Sequence, residues 1–234
     1  MVTTVTHQRD RHGAAAVRQA VLASKDRFWR STDLALSQST AYHLFGDLVA
    51  QGELRRVRRG LYWRGAKTPL GMAPPPPERL VSELAPGVGV GPAGSTAANV
   101  LRLSTQVPRF SETAVPYRPP TDVGAVRFVS RAARTQRRTA RLNPTEVAVL
   151  EVLDAWPDVV EVPLADAFER LRSILDSPQV RAERIVAAAA TEPGKVRARL
   201  RDVLERSGRA DLAQRVPPSD QRTMAHALVA ISPA

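Results

Sequence analysis

Apolar positions along the first third of the chain change period twice. Val17, Ala20 and Val21 fall at helical spacing with Ser24, which predicts a helix over residues 14–24. Ser31 or Thr32 is placed to cap a second, short helix running to Leu36. Ser37 then caps a third, in which Ala41, Leu44, Phe45, Leu48 and Val49 form one buried face and Gly52 follows at the expected stop. The opposite face carries Ser39, His43, Gly46, Asp47 and Ala50, with Tyr42 on its rim, so it is small and polar. Beyond Gly52 the period falls to that of strands. Glu53 to Val57 and Leu61 to Arg64 flank Arg58-Arg59-Gly60, the pattern of a hairpin. Strict alternation puts Leu54 and Val57 on opposite sides, so either Leu54 packs with the helix end or a bulge intervenes.

Periodicity lapses from Gly65 to Pro77, where Pro74 to Pro77 are consecutive, and this stretch reads as a proline-rich linker over residues 67–77. It divides the chain into a first domain, 1–66, and a second, 78–234. In the second, strands are predicted at 110–115, 125–129 and 137–142. Asn143, Pro144 and Glu146 then form a helix-start signature, and helices are predicted at 144–155, 163–175, 178–190, 193–206 and near 220–231. The fold class is therefore α+β and mainly helical. Three helices followed by a basic hairpin make an N-terminal winged helix-turn-helix, joined to a second α/β domain with a helical C-terminal part.

Charge sharpens this division. The chain carries +11, with 34 basic against 23 acidic residues. Residues 1–66 hold 11 basic and 5 acidic, residues 67–141 hold 11 and 4, and residues 142–234 hold 12 and 14. A basic front joined to a nearly balanced end fits a polyanion-facing part and a part with another partner. Only Lys25, Lys67 and Lys195 are lysines, so base composition of the coding DNA is an equal explanation of the arginine excess. There is no cysteine, and His7, His12, His43 and His226 have no metal-ligand spacing, so thiolate, disulfide and common zinc chemistry are excluded and no cofactor is expected. No apolar run is long enough to span a bilayer and the first residues lack a signal-peptide pattern; no membrane association and a cytoplasmic location are expected.

The candidate DNA-contacting residues follow from the helix and hairpin. Ser37, Gln38, Ser39, Thr40, Tyr42 and His43 lie in the N-terminal half of the third helix, where a recognition helix meets base edges. Arg55, Arg56, Arg58, Arg59 and Arg64 sit on or beside the hairpin, and Arg30 precedes the second helix as a further phosphate candidate. Taken singly, an amphipathic helix is ordinary core packing and a basic hairpin is an ordinary solvated edge; their ordered combination favours duplex DNA. Arg127, Arg131, Arg134, Arg137, Arg138 and Arg141 mark a candidate second basic surface, either a continued footprint or a solvated sheet.

Gly89-Val90-Gly91-Pro92-Ala93-Gly94 matches a dinucleotide-binding fingerprint, but Pro86 and Gly87 interrupt any preceding strand and the following helix is too short. There is no phosphate-loop motif, no nucleophile elbow and no nucleophile with a base near it in sequence, so catalysis is not expected.

Two ordered blocks carry a resemblance. The first runs through Ser31-Thr32-Asp33-Leu34, Ser39-Thr40-Ala41 and Leu48 to Tyr62; the second is Pro92-Ala93-Gly94-Ser95-Thr96-Ala97-Ala98-Asn99-Val100-Leu101 with Leu103-Ser104-Thr105-Gln106-Val107-Pro108. Over about residues 27–130 the chain resembles the AbiE-type abortive-infection antitoxins of bacterial toxin-antitoxin systems. Arg102 stands where such relatives often carry glycine. The resemblance implies a non-enzymatic antitoxin, with a winged helix that represses its own promoter and a second domain that counteracts a cognate nucleotidyltransferase-like toxin. It acts as a monomer or weak dimer on this reading. A promoter-binding regulator without a toxin partner, whose second domain senses a ligand or oligomerises, is the alternative. On the residues alone, Ala97-Ala98-Asn99 reads as a small-residue helix packing under a sheet, with Asn99 satisfying backbone groups.

Overall fold

The computed structural model describes residues 3–229 and 231, with side chains from residue 13 onward. The chain divides into two compact units, residues 1–83 and 84–234, and together they are a mixed α+β protein, about half helical with small sheets.

The first unit begins with α1 (Thr3–Ala23), longer than periodicity predicts, and β1 (Arg27–Trp29), which sequence reading missed. The short helix expected from Ser31 to Leu36 is only a 3-10 turn, Ser31–Asp33, because Asp33 accepts from the Arg30 amide and Leu34 returns to extended backbone. Next comes α2 (Gln38–Ala50), where Ser37 accepts from the Thr40 amide, followed by β2 (Arg55–Arg58) and β3 (Leu61–Arg64). The three strands form an antiparallel sheet in the order β1-β3-β2. Both expectations for Leu54 hold together: it is buried beside Phe45 and Leu48, and the β2–β3 register shifts between Arg56 and Arg58. Gly52 and Gly60, at φ +68 and +75, make the helix stop and the hairpin turn, a region that favours glycine. Val21, Trp29, Ala41, Phe45, Leu48 and Tyr62 form the core.

Residues 67–77 differ from the expected linker. Lys67–Thr68 (β4) and Gly71–Met72 (β5) pair as a small ribbon, and the last proline opens α3 (Pro77–Leu84), where its missing amide costs nothing. Met72 ties this ribbon down: its carbonyl accepts from Arg55 at 3.2 Å and its sulfur from the Gly65 amide at 3.1 Å. The compact division accordingly falls after Glu83.

In the second unit, β6 (Gly91–Pro92), α4 (Gly94–Val100), β7 (Ser111–Val115) and β8 (Val126–Ser130) build a sheet in the order β6-β7-β8, antiparallel then parallel. The strand expected at 137–142 is instead a short helix, α5 (Gln136–Thr139). The sheet takes its third strand from the glycine motif. A Cβ on Gly91 would lie 2.7 Å from the Pro144 carbonyl and from Val147, so that glycine serves close packing against the next helix, not a dinucleotide. As expected, Ala97 and Ala98 are fully buried, and the Asn99 amide donates to the Gln106 carbonyl.

That next helix is α6 (Pro144–Val159). Asn143 accepts from the Glu146 amide and Glu146 accepts from the Asn143 amide, the reciprocal cap that the sequence signature predicts. Pro157 cannot donate to the Leu153 carbonyl, and the helix kinks at Ala155. The freed carbonyl accepts from the buried Arg199 at 2.7 Å. Then follow α7 (Leu164–Leu175), α8 (Ala182–Ala188), α9 (Gly194–Arg206), α10 (Ala210–Arg215) and α11 (Gln221–Val229), of which α10 was not foreseen. Their apolar faces and α4 enclose the larger core around Val147, Leu150, Leu153 and Leu200.

Candidate nucleic-acid interface

Helix α2 presents its polar face as the periodicity predicts: Ser39, Tyr42, His43, Gly46 and Asp47 are exposed, Tyr42 at 63%. The sequence-predicted residues then separate by what they already touch. Ser37 and Thr40 are committed to the start of α2, their hydroxyls 2.8 Å apart and the Thr40 amide on Ser37 Oγ at 3.2 Å. Gln38, Ser39, Tyr42 and His43 remain; the Tyr42 and His43 rings meet edge-on at 6.0 Å.

The six predicted arginines divide the same way. Arg64 pairs with Glu53 at 3.3 Å and donates to the Leu22 carbonyl, which locks the sheet to α1. Arg55 is held by Met72 and Arg30 by Glu83. Glu53 also pairs with Lys67, whose hydrogen bond, helped by Arg64 and Arg18, holds its carboxyl below the ordinary range. Arg56, Arg58 and Arg59 are exposed, and their side chains make no hydrogen bond or ion pair among the described residues. Gly46 has open space around its Cα, so no packing inside the unit requires it.

One cleft, of about 520 Å³, brings together Gln38, Tyr42, Arg56 and Arg59; Ser39, His43 and Arg58 do not line it. Gln38 and Tyr42 of α2 stand on one side, Arg56 and Arg59 of the hairpin on the other, and Phe45 and Tyr62 form the floor, their rings 4.5 Å apart. Ser31 also lines it. The sequence marks Ser31 as a helix cap and carries no signal that it lines this cleft. The arrangement joins a polar helix face to two free guanidinium groups, which suits a polyanion whose groove edges lie beside its charges.

The second set of arginines has a different fate. Arg131 makes a two-point contact with Glu151 at 2.8 and 2.7 Å. Arg134 reaches Glu151, Asp154 and Glu192 at 3.2, 2.6 and 3.3 Å. Arg137, fully buried, joins Glu151 at 2.6 Å and Glu192 at 2.6 and 2.9 Å. Lys195 closes the network on Asp154 at 2.9 Å. Burial opposes ionisation of Glu151 and Asp154, but the arginine and lysine contacts outweigh it and hold both carboxyls below their ordinary values. Arg127 pairs with Asp122 at 3.6 Å and covers the Phe110 ring. Arg138 and Arg141 stay exposed. The six therefore do not form one basic surface: three of them bind β8, α5 and α6 to the start of α9.

Among the described residues no cluster of histidine, aspartate and glutamate fit to hold a metal occurs, and no helix is long and apolar enough to cross a membrane. The fold defines an α+β protein of two units. No family model matches the chain, and no curated protein does. Among solved structures, the RV2827C protein from Mycobacterium tuberculosis is similar, with a TM-score of 0.53 and 17% identity, over 92% of this chain and 81% of that one. The likeness is one of fold.

Proposed function

We propose that the protein is an autoregulating antitoxin. Its first unit is a winged helix-turn-helix that binds duplex DNA in its own promoter and represses it; its second unit neutralises a cognate nucleotidyltransferase-like toxin. The observation that carries the DNA half is the cleft lined by Gln38 and Tyr42 of α2 together with Arg56 and Arg59 of the hairpin, two arginines whose side chains have no partner among the described residues. A helix with a small polar outer face enters a major groove, and free arginines beside it neutralise phosphates or enter the adjacent minor groove. The antitoxin half is supported by the sequence resemblance, whose most specific block, Pro92 to Pro108, builds β6, α4 and the loop after it.

A promoter-binding regulator with no toxin partner is the second reading, favoured by the way Arg131, Arg134 and Arg137 are consumed inside the second unit. Co-expression with the adjacent gene tests both. Growth rescue from a toxic neighbour, together with repression of a reporter driven by the shared promoter, is the expected result. Repression without rescue of any toxic neighbour supports the regulator. The absence of both ends the proposal.

A further inference from the structure

The composition of α2 and the placement of Arg59 point to a base preference as well as a polyanion. Residues 38–50, QSTAYHLFGDLVA, contain no arginine or lysine. The commonest base-specific contact, a cation on guanine O6 and N7, is therefore missing from this helix. What its N-terminal turns offer is different. Gln38, at the first position of α2, is exposed and has no side-chain partner among the described residues, and a glutamine amide pairs in two-point fashion with adenine N6 and N7. Tyr42, one turn further and 63% exposed, gives the apolar surface that a thymine methyl requires. Asp47, the one charged residue of the helix, lies about 13 Å beyond Gln38 at 1.5 Å per residue, outside the reach of those turns.

The hairpin selects in the same direction. β2 ends at Arg58 and β3 begins at Leu61, so Arg59 and Gly60 are the tip, and Gly60 at φ +75 makes the turn. An unpaired arginine at the tip of a narrow ribbon is suited to a minor groove, where A·T tracts are narrow and strongly negative and where guanine N2 obstructs entry. Gln38, Tyr42 and Arg59 line one cleft, so both readouts bear on neighbouring base pairs.

We infer that the DNA taken by this cleft is an A·T-containing duplex, read in the major groove by Gln38 and Tyr42 and in the adjacent minor groove by Arg59. This rests on the DNA-binding reading above and adds the class of site. The preference is opposite to what a guanine-reading helix would produce.

The test is selection of duplexes of about 20 base pairs from a random library by the full-length protein, followed by competition between the selected site and variants of it. The expected motif contains adjacent A·T pairs, with at least a tenfold loss when they become G·C. Inosine·C pairs, which keep the major-groove pattern of G·C but lack guanine N2, separate the two readouts. They restore binding where Arg59 reads and fail to restore it where Gln38 reads. Gln38→Ala erases discrimination at the inosine-insensitive positions and Arg59→Ala at the inosine-rescued ones, each without changing the melting temperature. A G·C motif, or equal binding of all sequences, overturns the inference and leaves DNA binding intact; failure to bind any duplex at low salt overturns both.

Discussion

Arg56, Arg58 and Arg59 are exposed and have no side-chain partner among the described residues, whereas Arg131, Arg134 and Arg137 are enclosed by three carboxylates. Both sets are short-range clusters of arginine, and in composition they are alike. The difference is made elsewhere in the chain. Glu151 and Asp154 arrive on α6 and Glu192 just before α9, so the second cluster is neutralised within its own unit. Among the described residues no carboxylate arrives for the first. A cluster of like charges left on an exposed ribbon gains no stability from its neighbours and is useful only to an outside anion. An enclosed cluster is a packing element whose charge is invisible from outside.

The contrast is broken most sharply at Arg137. Its side chain is fully buried, and Arg137→Ala removes the closest cation between Glu151 and Glu192 and leaves the buried Glu192 with Arg134 alone. Loss of one partner of a buried pair costs about 3–5 kcal/mol. Urea or thermal unfolding of the full chain should show the second unit destabilised by that order. A change as small as that of a surface substitution would place Arg137 with the hairpin arginines and erase the comparison.

Acid tests the same network from the carboxylate side. Glu151 and Asp154 have folded pKa values below their ordinary ones, so each adds stability that is present above about pH 4, the unfolded range, and is lost as pH falls through the lowered folded values. The melting temperature of the second unit should hold from neutrality to about pH 5 and then drop steeply. Arg137→Ala should flatten that drop. An unchanged profile in the variant would mean that other carboxylates set the acid limit.

Much of the scaffold was legible in the sequence, and the reason is local. Ser37, Gly52, Gly60 and the Asn143–Glu146 cap act on residues within a few positions, so their chemistry can be read from spacing. β1 was missed because Arg27-Phe28-Trp29 is three residues long and becomes a strand only through pairing with Tyr62 to Arg64. Arg137 to Leu142 looked like a basic strand because its partners were out of view: Glu192 lies 55 residues away. The glycines at 89–94 resembled a nucleotide loop, yet Gly91 is demanded by a helix that begins at Pro144. In the candidate site, the polar face of α2 was legible, but which arginines stay free was not. Arg30, Arg55 and Arg64 are removed from it by Glu83, Met72 and Glu53, contacts set by tertiary packing.

Arg102 occupies a third circumstance. It is exposed, and its backbone lies at φ +57 after α4, a left-handed conformation that glycine adopts freely and other residues adopt at a cost. Glycine would adopt this conformation without that cost. Arg102→Gly should stabilise the second unit by up to about 1 kcal/mol, the relieved strain being partly offset by the freedom glycine gains when unfolded. Thermal melts at neutral pH would measure it. A loss of stability would mean that the Arg102 side chain contributes contacts larger than the backbone cost.

The smallest effect on stability, and the most informative about function, belongs to Arg58 and Arg59. Both are exposed on the hairpin with no partner among the described residues, so replacing them with alanine should move the melting temperature by no more than about 2 °C. Binding to duplex DNA should change far more. Each arginine on a phosphate releases condensed counterions, and the slope of log affinity against log salt should fall by about 1–2 units in the double variant. Arg64→Ala supplies the control from the opposite direction: its partners are Glu53 and the Leu22 carbonyl, so it should lower stability while leaving the slope per folded molecule unchanged. Titrations over a range of salt concentrations, with the folded fraction checked at each, separate the two outcomes. A double variant with an unchanged slope would mean that these arginines do not meet the DNA backbone, and the distinction between the open and the enclosed cluster would then carry no function.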